Sequence, residues 1–284
     1  MSGFVAALRA ELYVAQRSTS ARLVVILPAL LAMAQLLLVR IRSSGEQARD
    51  SLLGSGGLDF AADNAWGYYV DSLLSGLTLL ALALAAYTAW SFASDRDSGV
   101  LRHLLIRRSS RRAVVLAKLL AAHLVALCAL LGLMLAATAL AAWLWEFGPV
   151  VEDGFELIGA EEIREEFRLG LVLALLPVPA TIAFALLVAV ATSSATQAVT
   201  AALGLSLAMD IFKGALGNAA NWLHVSYQPS LIDQSYLSDV SRLVRGYSDV
   251  MLDPDVLQLN QWVPLPWLLL FTALALVLVP WRRL

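Results

Sequence analysis

The sequence predicts an all-α integral membrane protein with six transmembrane helices. Three observations carry this. Apolar residues make up 60% of the 284 residues while only 15% are charged, whereas a soluble domain is usually nearer half apolar and about a quarter charged. The apolar residues gather in runs long enough to cross a hydrocarbon core of ~30 Å, which takes ~20 helical residues. Sustained period-2 alternation is missing, so helices rather than a closed barrel must satisfy the backbone in lipid.

The predicted spans are Leu23–Val39, Leu73–Ala93, Ala113–Trp145, Leu169–Ala191, Ala198–Gly214 and Pro264–Pro280. The third is longer than a simple crossing requires, so it is expected to tilt or to project from the membrane. The fourth contains Pro177 and Pro179, which remove backbone donors and are expected to break or kink it. Leu23–Leu31 followed by Ala32-Met33-Ala34 imitates a signal peptide. The apolar run continues through Leu36–Val39, so the span is expected to be retained.

Arginine placement gives the orientation. Arg9, Arg17 and Arg22 precede the first span, Arg96, Arg102, Arg107, Arg108, Arg111 and Arg112 follow the second, and Arg282-Arg283 follow the sixth. With six spans these regions share one side. The other side is acidic, holding Glu146, Glu152, Asp153, Glu156, Glu161, Glu162, Glu165 and Glu166 against Arg164 and Arg168. The positive-inside rule then puts both termini in the cytoplasm. The net charge of −2 hides this polarity and gives no reason to expect nucleic acid as a partner. One cysteine, Cys128, lies inside the third span and no Asn-x-Ser/Thr acceptor occurs, which fits a bacterial inner membrane and rules out a disulfide framework.

Before the first span, residues 1–22 are read as a cytoplasmic interfacial helix in contact with membrane lipid. Phe4, Ala7, Leu8, Leu12 and Ala15 form its apolar stripe, with Arg9 and Glu11 read as lying off it; the alternative is a plain extension of the first span. Residues 23–284 form one six-span domain without internal repeats. Its extracytoplasmic regions are 146–168 and 217–263. The second of these is long for an unstructured loop. Ile232, Tyr236, Val240 and Leu243 share a helical face within it, predicting an amphipathic helix on the outer leaflet or over the bundle mouth. Trp222, Trp262 and Trp267 are read as interfacial anchors.

Enzyme signatures are missing. No Gly-x-x-x-x-Gly-Lys-Ser/Thr loop occurs, so the chain is no P-loop ATPase. No His-Glu-x-x-His occurs, and His103, His123 and His224 are scattered, so no metal site is expected. Glu161-Glu162 lacks the arginine that an intramembrane CAAX-type protease would need, since Glu166 stands there. An intramembrane hydrolase therefore has no paired catalytic residues to use.

The informative segment is cytoplasmic, at 95–112. It runs Asp95-Arg96-Asp97-Ser98-Gly99-Val100-Leu101, then Ser110-Arg111, then Lys118. Val100, Leu101, Leu104 and Leu105 can form an apolar face, Arg102, Arg107 and Arg108 supply charge, and Gly99 permits a tight turn. A generic positive-inside loop would account for the arginines alone. The ordered acid-x-acid-x-Gly-aliphatic-Leu, Ser-Arg and Lys spacing resembles the loop after the second span of type-2 ABC (ABC-2-type) exporter permeases. Asp95, Asp97, Gly99, Leu101, Ser110, Arg111 and Lys118 match that pattern; Val100 replaces Thr, Arg108 replaces Pro and Ala117 replaces Gly.

The resemblance covers the whole topology and implies a transport subunit that binds no cofactor itself. ATP and Mg would reside in a separate ABC ATPase subunit docked on a coupling helix. The implied docking residues are Asp95, Asp97, Gly99, Val100, Leu101, Leu104, Leu105, Arg107, Arg108, Ser110 and Arg111. A second copy, or a related permease, would complete a dimer with the path along its interface. A lipid, peptide, glycan or drug-like substrate would be exported. The alternative within the resemblance is a mechanotransmitting permease that acts on an extracytoplasmic protein in metalloenzyme maturation.

Two smaller features complete the reading. Asp210 and Lys213 lie three residues apart on the fifth span. They either pair on one face as part of a substrate path, or lie at the outer end with Lys213 reaching water. Thr192, Ser193 and Gln197 form a short cytoplasmic turn suited to a second, minor ATPase contact.

Overall fold

The computed structural model describes residues 2–53, 64–101, 109–152, 155–246 and 254–281. Six helical segments are long and apolar enough to span a membrane: Thr19–Gly45, Ala65–Asp97, Arg111–Leu144, Ala160–Ala191, Ala195–Trp222 and Asp255–Trp281. Each contains or overlaps one predicted span and extends beyond it, because helix continues where hydrophobicity fades. The third helix has 34 residues, a length of ~50 Å at ~1.5 Å per residue, well beyond the apolar core. Its start carries Arg111 and Arg112.

Burial sorts the spans. Within their most apolar stretches, 61% of the second span and 72% of the fourth are buried, against 17% to 33% for the others. The second and fourth therefore form the centre. The first span packs on the second and third, the fifth on the second and fourth, and the sixth on the fourth. Close approach between spans two and three depends on Gly76, where an added Cβ would lie 2.6 Å from Leu133. At the acidic end Trp66, Tyr69, Phe147 and Phe167 interlock, with ring centroids 4.8 Å apart for Trp66–Phe147 and 5.3 Å for Tyr69–Phe167. Toward the arginine-rich end a second core holds Phe92, Leu101, Val114, Leu186 and Val190.

The fourth span breaks where its prolines predict. Helix Ala160–Leu175 stops, and Val178–Ala191 starts one turn later. The Thr181 backbone N–H bonds to Pro177 O at 3.0 Å, so the break leaves that carbonyl satisfied. The N-terminal helix, Ser2–Arg17, is separate from the first span, which starts at Thr19. The break falls at Ser18 rather than after residue 22, and the helix packs chiefly on the third span.

The all-helical class holds with one local addition, and two local expectations need correction. The all-helical framework carries one small antiparallel hairpin, Val150–Glu152 with Phe155–Ile158. Its strands are too short to register as alternation. Glu11 does not lie off the apolar stripe: it is buried together with Ala7 and Ala15. The three are four residues apart and so share a face. The helix Tyr236–Leu243, between spans five and six, buries Tyr236, Leu237, Val240 and Ser241, while Ile232 is exposed. Its inner face is rotated from the predicted one because it packs on protein.

Candidate functional site

The loop between spans two and three is described at its two roots. The first is Asp95-Arg96-Asp97-Ser98-Gly99-Val100-Leu101. Its charged side chains turn inward, each to a different helix. Asp95 Oδ2 accepts a 2.5 Å bond from Lys118 Nζ on span three. The same ammonium bonds Glu11 Oε2 of the N-terminal helix at 2.9 Å, Ser91 O at 3.0 Å and Ser91 Oγ at 3.2 Å. Lys118 is buried, with its side chain 2% exposed. Burial of a lysine requires such partners, since an unpaired charge there is costly. Two carboxylates share one ammonium. Burial pushes the Glu11 carboxyl above its ordinary value and the Asp95 charge adds to this, while Lys118 opposes the shift.

Arg96 reaches the end of span four. Its Nη1 donates to Ala189 O at 3.0 Å and Thr192 O at 2.6 Å, two carbonyls that the helix end leaves without intrahelical donors. Asp97 accepts the Ala195 N–H at 2.7 Å, at the start of span five. A carboxylate there both caps the helix and complements its dipole. Thus Arg96 and Asp97 hold the turn at 192–195 at its two ends, while Asp95 binds span three. Within that turn Ser193 Oγ donates to Gln197 Oε1 at 2.6 Å, and Ser194 Oγ accepts the Gln197 N–H.

Gly99 ends the second span with φ +76°, in the left-handed region that penalises a side chain. Its N–H bonds to Arg96 O at 3.1 Å. Beyond the turn the two described residues of the apolar face divide. Leu101 is buried in the bundle core, and Val100 is exposed. Leu104, Leu105, Arg107 and Arg108 lie outside the described residues.

The second root carries Ser109, Ser110 and Arg111. Ser109 Oγ donates to Gly3 O of the N-terminal helix at 3.1 Å. Ser110 is the N-cap of span three, its Oγ accepting the Ala113 N–H at 3.1 Å. Arg111 Nη1 donates to Pro280 O, at the end of span six, at 2.7 Å. The two roots thereby bond to the N-terminal helix and to spans three, four, five and six. Sequence reasoning missed Glu11 and the targets of Arg96 and Asp97. An acid inside the buried stripe of a surface helix was the available signal for Glu11.

At the acidic end, Asp210 and Lys213 pair at 2.9 Å, with side chains 7% and 0% exposed. Lys213 is therefore enclosed and does not reach water. Asp210 also accepts Ser230 Oγ at 2.7 Å and the Leu231 and Ile232 N–H groups at 3.1 and 3.3 Å. The pair fixes the segment at 230–232 to span five. Thr181 Oγ1 donates to Gln228 Oε1 at 2.6 Å, tying the chain just before that segment to span four. Asp71 accepts from Ser241 and Arg245, and Tyr236 donates to Glu166, so the helix Tyr236–Leu243 is held on spans two and four. Among the described residues no three His, Cys, Asp or Glu side chains come together as metal ligands.

A bundle of six apolar helices, with one polar loop rooted in nearly all of them, defines a multi-pass membrane protein. The particular family follows from comparison: residues 6–282 match the family described as ABC-2 family transporter protein. The chain belongs to that family. No curated protein and no solved structure matches it.

Proposed function

We propose that the chain couples ATP hydrolysis in a separate ABC ATPase subunit to export of a lipid, peptide, glycan or drug-like molecule. In this reading the arginine-rich end is cytoplasmic, in a bacterial inner membrane, and a second copy completes the transporter. The ATPase docks on the loop that Gly99 opens, with Val100, Leu104, Leu105, Arg107 and Arg108 as its contact face. The observation that carries the reading is the triplet Asp95-Arg96-Asp97, bonded to spans three, four and five. Its carboxylates and Leu101 serve as roots of the docking element rather than as its outer surface. A push on the loop is thereby delivered to several helices together.

Co-purification with the ATPase subunit tests this. Charge reversal at Arg107 and Arg108 with Gly99→Pro is expected to abolish complex formation and ATP-driven transport. Retention of both would refute docking at this loop. A second reading, in which ATP-driven motion acts on an extracytoplasmic protein, draws on the anchoring of the external helix to spans two and four through Asp71 and Glu166. Deleting residues 230–249 should then abolish partner capture while ATPase coupling survives; unchanged capture would refute it.

A further inference from the structure

Three tryptophans at the acidic end converge on one groove. Trp222 ends the fifth span, and Trp262 and Trp267 lie at the start of the sixth. Together with Asp255 and Gln258 they line an open groove of about 510 Å³, within the ~300–1,000 Å³ typical of small-molecule sites. Trp267 is fixed, its Nε1 donating to Trp222 O at 2.7 Å. Its ring also stacks on Phe271 with centroids 5.1 Å apart. The other two indoles are free to meet a ligand: Trp222 and Trp262 are 63% and 62% exposed.

Anchoring at a membrane interface explains isolated tryptophans. It does not require three indoles around one cavity with a carboxylate in its wall. Trp143 shows the isolated case at the same end of the bundle, 76% exposed and outside this groove. Indole faces attract cations, above all alkylated ammonium groups, and a neighbouring carboxylate adds charge complementarity. Below the groove, Leu265 and Leu269 expose apolar side chains along span six, a track for acyl chains. The groove lies where span five ends and span six begins, where a bilayer crossed by these two helices would place its headgroups.

We infer that this groove is a binding site for a zwitterionic phospholipid, its ammonium end held by Trp222, Trp262 and Asp255 and its chains lying along Leu265 and Leu269. The site is independent of ATPase docking, so its test does not depend on coupling. It requires only that these helices span a bilayer.

Native mass spectrometry of the full-length chain in detergent, titrated with phosphatidylcholine or phosphatidylglycerol of identical acyl chains, reads occupancy directly. Phosphatidylcholine should be retained preferentially. Trp222→Ala with Trp262→Ala should lower that retention by about fivefold or more, as loss of two cation–π contacts implies, and leave phosphatidylglycerol unchanged. Trp143→Ala should change neither. Equal retention of the two lipids by the unmodified chain would overturn the inference. So would a loss in Trp143→Ala matching that in the double variant. Should the double variant fail to fold, Asp255→Asn decides: reduced phosphatidylcholine retention supports the site and unchanged retention overturns it.

Discussion

Replacing Lys118 by methionine isolates the polar joint between the N-terminal helix and spans two and three. Methionine keeps the length and apolar packing of the lysine stem and removes only the ammonium. That ammonium makes four short contacts, to Glu11, Asp95 and both oxygens of Ser91. Its loss leaves two carboxylates facing each other, one of them with a side chain 7% exposed. Breaking a buried pair from one side costs about 3–5 kcal/mol, so a loss of this size is expected in equilibrium unfolding in mixed micelles.

A local readout separates this from general damage. Ala7 is 1% exposed, and Ala7→Cys in a Cys128→Ser background should label slowly. Adding Lys118→Met should release the N-terminal helix and speed the labelling. Glu11→Gln placed on top of Lys118→Met removes the more buried of the two charges and should recover about 2 kcal/mol or more. The pH dependence has a definite sign. The folded Glu11 carboxyl lies above its ordinary value, so the folded state takes up a proton more readily than the unfolded chain. Acidification therefore favours the folded variant, and the Lys118→Met deficit should narrow as pH falls from 8 toward 5. A variant as stable as the unmodified chain, or a double substitution that recovers nothing, would refute the joint.

Gly99→Ala forces a side chain into a residue with φ +76° and should lower stability by about 1–2 kcal/mol, while Gly99→Asn, which tolerates that conformation, should lose less in the same thermal melt. Gly170→Val meets Val240, Tyr236 and Leu237, which already lie 3.1 to 3.3 Å from an added Cβ; about 1–3 kcal/mol of overpacking strain should appear as faster hydrogen exchange across Tyr236–Leu243. His224 is enclosed by Phe184, Trp267 and Phe271, and burial holds its pKa down to about 4 from 6.5. The unfolded chain binds that proton first, so stability should fall by about 3 kcal/mol between pH 6.5 and 4, a slope that His224→Phe should remove.

The spans were legible because lipid demands long apolar runs, and the proline break because proline lacks a donor. Polar joints were less legible, for a physical reason. Asp97 and Ala195 are 98 residues apart, and Arg96 and Thr192 are 96 apart; no local pattern names such partners. What the sequence did contain was anomaly. Lys118 stands in the apolar run of span three, and Glu11 interrupts an otherwise apolar stripe. Each needed a partner, and four contacts meet on the same ammonium. Asp210 and Lys213 were readable as a pair because helical spacing alone brings them together. The enclosure of Lys213 depended on Ser230 and the segment around it, which spacing does not show.

The loop roots also constrain how the bundle can move. Bonds to charged groups contribute about 1.5–3 kcal/mol each, and the roots bond in this way to spans three to six through Lys118, Arg96, Asp97 and Arg111. A displacement of the loop smaller than these bonds can resist must carry the arginine-rich ends of those four helices together. The first span is different. None of the root bonds named above reaches it; it follows the others through apolar packing against spans two and three, and only 28% of its apolar stretch is buried. Apolar side chains in lipid slide at little cost, because lipid tails replace the lost contacts. Span one is therefore the one helix whose hold on the loop is indirect, through its packing on spans two and three. A displacement of the loop should keep the clamped ends of spans three to six in register, with span one following only through that packing.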